Sequence, residues 1–232
     1  PAGEKLSRGA AIVFDAPAAR VAGRSAPGAV MGSKNLKAIA VRGKKMPQIA
    51  SREKFKELLK EQVPKIREFT MGLHNFGTSG GVEAVEKYGD LPIKNWQLGS
   101  WPEGARKVCG QAMQPLMLDK HYSCYACPIR CGKIYKHEKL GLYGHGPEYE
   151  TIGMLGSNCL NDNPLDLCEA NELCNRYGMD TISVGHLAAF AIEAFERGLI
   201  SEKDTGGLKL EWGGPSTVAL VRMIGERQHI GD

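Results

Sequence analysis

At 232 residues with 42% hydrophobic content, the chain is long enough to bury a core as one large domain or two small ones, which excludes a disordered or fibrous protein. A formal charge of +4, with lysines and arginines interspersed among acids, offers no basic stripe for nucleic acid. No apolar run reaches membrane-spanning length and no charged start precedes an apolar core, so no membrane partner and a cytoplasmic location are expected. Three of the seven cysteines lie between positions 124 and 131, a crowding that suits metal or cluster ligation in a reducing compartment better than a disulfide framework.

In chain order, Ala10 to Phe14 and Leu36 to Val41 have the short apolar or alternating runs of strands. Between them, Gly23 to Lys34 is a loop rich in small residues. The Gly43-Lys44-Lys45-Met46-Pro47 segment marks a shift from strand-like to helix-like composition. A domain boundary is expected there, dividing the chain into residues 1–45 and 46–232. From Ser51, a plausible N-cap, Phe55, Leu58, Leu59 and Val63 repeat at helical spacing until Pro64, which should end or kink the helix. A short helix is expected over Val82 to Tyr88, and the stretch from Asn95 to Gly110 reads as loop.

Beyond the cysteines, Asn163-Pro164 reads as N-cap and first helical residue, and Gly178 as the residue just past the helix end. Thr181 or Ser183 can cap a following helix that runs through Phe190 and Phe195 to Gly198. Lys209 to Trp212 suits a short strand and Ser216 to Arg227 a last amphipathic helix. The fold class is α+β: the end of a β-rich N-terminal domain followed by a mainly α-helical domain. With Pro1-Ala2-Gly3 at one end and Gly231-Asp232 directly after a helical pattern at the other, the chain reads as a piece of something longer.

Cys124-x2-Cys127-x3-Cys131 is the most specific motif. Soft thiolates suit iron, and closely spaced cysteines on a loop can wrap several corners of an iron–sulfur cluster. The spacing also permits a structural zinc completed by His121, His137 or Cys109. Cys168 and Cys174 read as core thiols. In His145-Gly146-Pro147-Glu148-Tyr149-Glu150-Thr151, two carboxylates beside a histidine suit general acid–base chemistry or the capping of a following element. The Arg24 to Lys34 loop offers backbone N–H groups of small residues to a phosphate or polar ring, or is an ordinary turn. Asn175-Arg176-Tyr177-Gly178-Met179-Asp180 joins two helices, with Gly178 and Asp180 as caps or as ligand contacts.

Together these segments resemble the aldehyde ferredoxin oxidoreductase family. The resemblance is carried by Arg24 to Gly43, by the three cysteines, by Gly146-Pro147-Glu148-Tyr149-Glu150-Thr151 and by Ala170 to Ser183, in the family's order. It implies a tungsten (or molybdenum) bis-pterin centre, a [4Fe–4S] cluster on Cys124, Cys127 and Cys131 with its fourth ligand outside this chain, and Mg2+ as a candidate bridge between pterin phosphates. Arg24, Ser25, Gly28, Ala29 and Gly32 would line the pterin, and Asn175, Gly178, Met179 and Asp180 would match a pterin-binding turn, with Asn175 and Met179 replacing the family's Asp and Leu.

Glu150, in preference to Glu148, would act as the base in oxidation of a small aldehyde to its acid, with ferredoxin as electron acceptor and a homo-oligomer as a conceivable assembly. The piece alone is expected to be inactive. A tungsten-dependent aromatic acyl-CoA reductase subunit and a non-enzymatic iron–sulfur or zinc module stay open as alternatives.

Overall fold

The structure, a computed structural model, describes residues 1–15 and 19–232. An antiparallel ribbon opens it, β1 (Ile12–Phe14) pairing with β2 (Arg20–Ala22) so that Ile12 faces Ala22. Next comes a helix, α1 (Pro27–Ser33), where a loop was expected. Pro27 supplies the preset φ of a first helical residue, and the left-handed Ser25 and Ala26 turn the chain into it. Leu36 to Val41 forms no strand, and Ile39 and Val41 stay exposed. A strand needs a neighbour to bond its backbone, and here the alternating pattern has none.

Helix α2 (Arg52–Phe69) begins as its sequence predicts, with the Ser51 side chain accepting from the Lys54 N–H. It does not end at Pro64 but continues to Phe69. The helix buries none of its residues, so the carbonyl that loses its partner at the proline can turn to water. Two short helices follow, α3 (Met71–Phe76) and α4 (Val82–Lys87), joined by a 3-10 turn at Thr78–Gly81. The expected loop between Asn95 and Gly110 contains α5 (Pro102–Val108), whose Ala105 and Val108 are buried. The helix α6 (Gly110–Met117) leads into an antiparallel sheet of β3 (Leu118–Tyr122), β4 (Gly132–His137) and β5 (Leu142–His145), in that order.

After β5 a single turn, α7 (Tyr149–Thr151), passes into a π-helical turn at Ile152–Gly156. Asn163 caps α8 (Pro164–Tyr177) through a bond from the Leu165 N–H, and Gly178 ends it at φ 72. The cap of α9 (Thr181–Glu196) is Asp180 and not Thr181 or Ser183, because Ser183 supplies the N–H that the cap accepts. Lys209 to Trp212 is irregular, with Leu210 pointing into the core, and α10 (Gly214–Glu226) is the last helix. Among the described residues no helix is long and apolar enough to cross a membrane.

The main core joins Met113, Leu155, Leu167, Cys174, Met179 and Val184, and a second one lies between α9 and α10 around Ile192 and Leu220. Cys109, Cys159, Cys168 and Cys174 are all buried, and desolvation pushes the Cys159 thiol up to about 12. These four are packing residues.

The N-terminal segment is sewn onto the turn between α8 and α9. Ala2 donates to the Tyr177 carbonyl at 2.8 Å, Ala11 to that of Gly178 at 2.8 Å, and Asp180 to that of Gly9 at 2.9 Å. Gly28 closes the seam by donating to the Ala10 carbonyl at 3.1 Å. A Cβ there would lie 2.5 Å from the Ala11 carbonyl oxygen, so only glycine lets α1 approach.

Candidate functional site

That seam brings together segments about 170 positions apart in the sequence. Beside it lies a cavity of about 380 Å³ whose wall includes Arg24, Glu148, Glu150, Asn175, Met179 and Asp180. On the other side of the turn, Asn175 and Gly178 join Gly28 and Gly32 around a second cavity of about 490 Å³. Ser25 and Ala29 line neither; Ser25 is exposed and Ala29 packs against the core. The glycines of α1 serve packing, since a Cβ on Gly32 would collide with the Gly3 carbonyl oxygen.

The residues of the turn divide by role. Asp180 is buried, and its Oδ2 accepts from the Ser183 N–H at 2.8 Å and the Ser183 hydroxyl at 2.6 Å, which caps α9. A Cβ at Gly23 would meet Asp180 Oδ1 at 2.3 Å, so Gly23 makes room for the carboxylate. Met179 is a core residue, 1% exposed, whose backbone bridges to Ala10. Asn175 is half-buried, and among the described residues no group bonds its side-chain amide, which leaves it available to a ligand in either cavity.

The two glutamates occupy different settings. Glu148 Oε1 takes an ion pair from Arg20 Nη1 at 2.7 Å, and Oε2 accepts from the Thr78 hydroxyl. His145 Nε2 lies 3.2 Å from Oε1 without the alignment of a hydrogen bond. Burial pushes the Glu148 carboxyl up, but His145, Thr78 and Arg20 together outweigh it and hold it down at about 2. Glu148 is therefore an anion at neutral pH and a weak base. Glu150 is exposed toward the cavity, and among the described residues no hydrogen bond or ion pair holds it.

Arg20 and Tyr122 were not foreseen from the sequence. The guanidinium of Arg20 sits 5.5 Å from the centre of the Tyr122 ring, which meets His145 edge-on at 5.6 Å. Tyr122 ends β3, where the cysteine loop begins. Arg20 thus spans from the cavity wall to the root of that loop. A lone arginine in a strand-like run carries no local signal of such a position.

Cys124 is exposed and Cys127 and Cys131 are half-buried, in contrast with the four core thiols. The Cys127 N–H donates to the Cys124 carbonyl at 3.1 Å, and Ala126 and Arg130, at positive φ, bend the loop back on itself. Among the described residues no three His, Cys, Asp or Glu side chains are set around one ion. The donor set still fits an iron–sulfur cluster, because such a cluster takes its thiolates on separate irons. Of the zinc candidates, Cys109 is occupied elsewhere, its thiol donating to the Arg106 carbonyl at 3.3 Å inside the core. His121 stacks on His74 at 4.8 Å.

The chain belongs to the aldehyde ferredoxin oxidoreductase family: residues 1–43 match the family's N-terminal domain and residues 51–232 match its domains 2 and 3. Among its relatives is the tungsten-containing aldehyde ferredoxin oxidoreductase of Pyrococcus furiosus, 40% identical over the whole of this chain. That of Thermococcus kodakarensis is 39% identical over the same extent. An aliphatic sulfonate oxidoreductase, WOR-like subunit, of Pyrococcus furiosus is 31% identical over 99% of the chain. The chain spans 38% of the length of each of the first two. A solved structure of the BamBC active-site complex of benzoyl coenzyme A reductase superposes at a TM-score of 0.72 with 22% identity, covering 99% of this chain and 36% of that one. At that identity the likeness is one of fold.

Proposed function

We propose that this chain supplies one wall of a tungsten bis-pterin site and three ligands of a neighbouring [4Fe–4S] cluster in an enzyme that oxidises aldehydes to carboxylic acids, RCHO + H2O → RCOOH + 2 H+ + 2 e−. What supports this above all is the meeting of Arg24, Glu150, Asn175 and Asp180 at one cavity, with Arg20 reaching from it to the cysteine loop. The tungsten centre, when bound, supplies the acceptor for the electron pair, and the cluster supplies single-electron transfer to ferredoxin.

The roles of the chain's own residues follow from their settings. Asn175 offers an amide that both donates and accepts, suited to the edge of a polar ring. Asp180 keeps one oxygen for the helix cap and has the other toward Gly23 and the cavity. Arg24, exposed at the cavity mouth, provides charge for an anionic cofactor tail. Glu150 takes the proton released as water adds and the acid forms, since its carboxylate has no other partner. Glu148, locked by Arg20 and Thr78, positions the backbone that carries Glu150 and does not itself accept the proton.

The test is the Glu150→Gln variant of the full-length enzyme, assayed with a small aldehyde after tungsten and iron contents are matched to the parent. A fall in kcat of about 100-fold or more is expected for loss of a general base. Undiminished aldehyde oxidation contradicts the assignment. Glu148→Gln should lose less activity at equal loading.

A further inference from the structure

Lys133, in β4, is a cation in an unusual place. It is 5% exposed. Its ammonium donates to the His74 carbonyl and to the Cys131 carbonyl, both at 2.7 Å. Among the described residues no carboxylate forms an ion pair with it. An ammonium has three N–H donors, and no acceptor for the third is found among the described residues. A buried charge without a counter-ion is costly, and an apolar residue at this strand position would avoid that cost. Burial works against that charge, and the Glu148 carboxylate supports it. Glu148 is already paired with Arg20, which leaves the cysteine loop, anionic once its thiolates hold a cluster, as the uncommitted partner.

Resting on the cluster reading above, we propose that Lys133 is the fixed counter-charge of the cysteine loop: it holds the Cys131 carbonyl in place and raises the reduction potential of the cluster bound there. A cluster on thiolates becomes more negative by one charge when it accepts an electron, so a buried cation beside it stabilises the reduced state more than the oxidised one. Charge and hydrogen bonding near the sulfurs are among the levers that set such potentials. The His74 carbonyl gives the ammonium a second tether, which ties the loop to α3 and keeps the charge from swinging to solvent.

The experiment uses the full-length enzyme, purified without oxygen, with iron and sulfide counted and the cluster's midpoint potential read by electron paramagnetic resonance in a redox titration. Lys133→Met and Lys133→Gln remove the charge, the second keeping a donor; Lys133→Arg keeps both. Neutral variants that load iron should be shifted about tenfold against reduction, about 59 mV lower for one electron, while Lys133→Arg stays near the parent. If the neutral variants fail to load iron and the arginine variant loads it, the counter-charge is needed for assembly, which also supports the proposal. An unshifted potential in an iron-loaded neutral variant overturns it. So does loss of iron from all three variants, since shape and not charge would then be required. A parent enzyme without iron or sulfide refutes the cluster itself, and is thereby distinguished from failure of the lysine's role.

Discussion

The turn from Asn175 to Asp180 and the loop from Cys124 to Cys131 sit on either side of the Arg20–Glu148 pair, yet they are built in opposite ways. The turn is held by the core and by backbone bonds to three N-terminal residues, Ala2, Gly9 and Ala11, so folding alone sets its shape. The loop has an exposed or half-buried thiol at each key position and is fixed mainly at its end, where His74 Nδ1 contacts the Ile129 carbonyl at 2.8 Å and Lys133 holds that of Cys131. The difference teaches that one part of the site is completed by packing and, on the proposed cluster reading, the other by what it binds.

The largest effect on stability should come from breaking the seam of the turn. Gly28→Ala puts a methyl 2.5 Å from a backbone oxygen that cannot move alone, and a loss of about 3 kcal/mol is expected from such overpacking, read from the urea midpoint.

Next is the pair that separates the two regions. Glu148→Gln should cost about 2 kcal/mol at neutral pH, as a half-buried charged hydrogen-bond network loses its anion. The folded carboxyl sits at about 2, below its ordinary 4.5. Its contribution is therefore present above about pH 4.5 and is lost as pH falls toward about 2. In acid titration the variant should lack this part of the slope, and an identical profile would remove Glu148 from the stability account.

Asp180→Ala removes the cap of α9 and should cost about 1 kcal/mol by the same measurement. The smallest effect belongs to the loop: without iron, Cys127→Ser should shift stability by less than about 0.5 kcal/mol. A loss as large as that of Gly28→Ala would erase the contrast between the two regions.

The helical hairpin was legible because its signals are local. Asn163-Pro164 and Gly178 act through their own backbone, and both stand where their chemistry requires. The sheet that carries the cysteine loop was not legible. In β4, four successive residues including Lys133 are buried, so inward and outward faces do not alternate in the sequence. The expected strand at Leu36 to Val41 had the right pattern and no partner, and α1 was hidden in small residues whose helix depends on contact with Ala10 and Ala11. At the site, Asn175, Asp180, Glu148 and Glu150 could be named from their motifs. Arg20, Thr78 and Lys133 could not, because their meaning lies in distant partners.

The central claim, that this loop binds an iron–sulfur cluster beside a cofactor cavity, is tested most directly by metal and sulfide analysis of the full-length protein purified without oxygen, alongside Cys127→Ser. The account predicts iron and acid-labile sulfide in equal amounts, with a broad absorbance near about 400 nm that the substitution abolishes. A colourless protein holding zinc and no sulfide would contradict it.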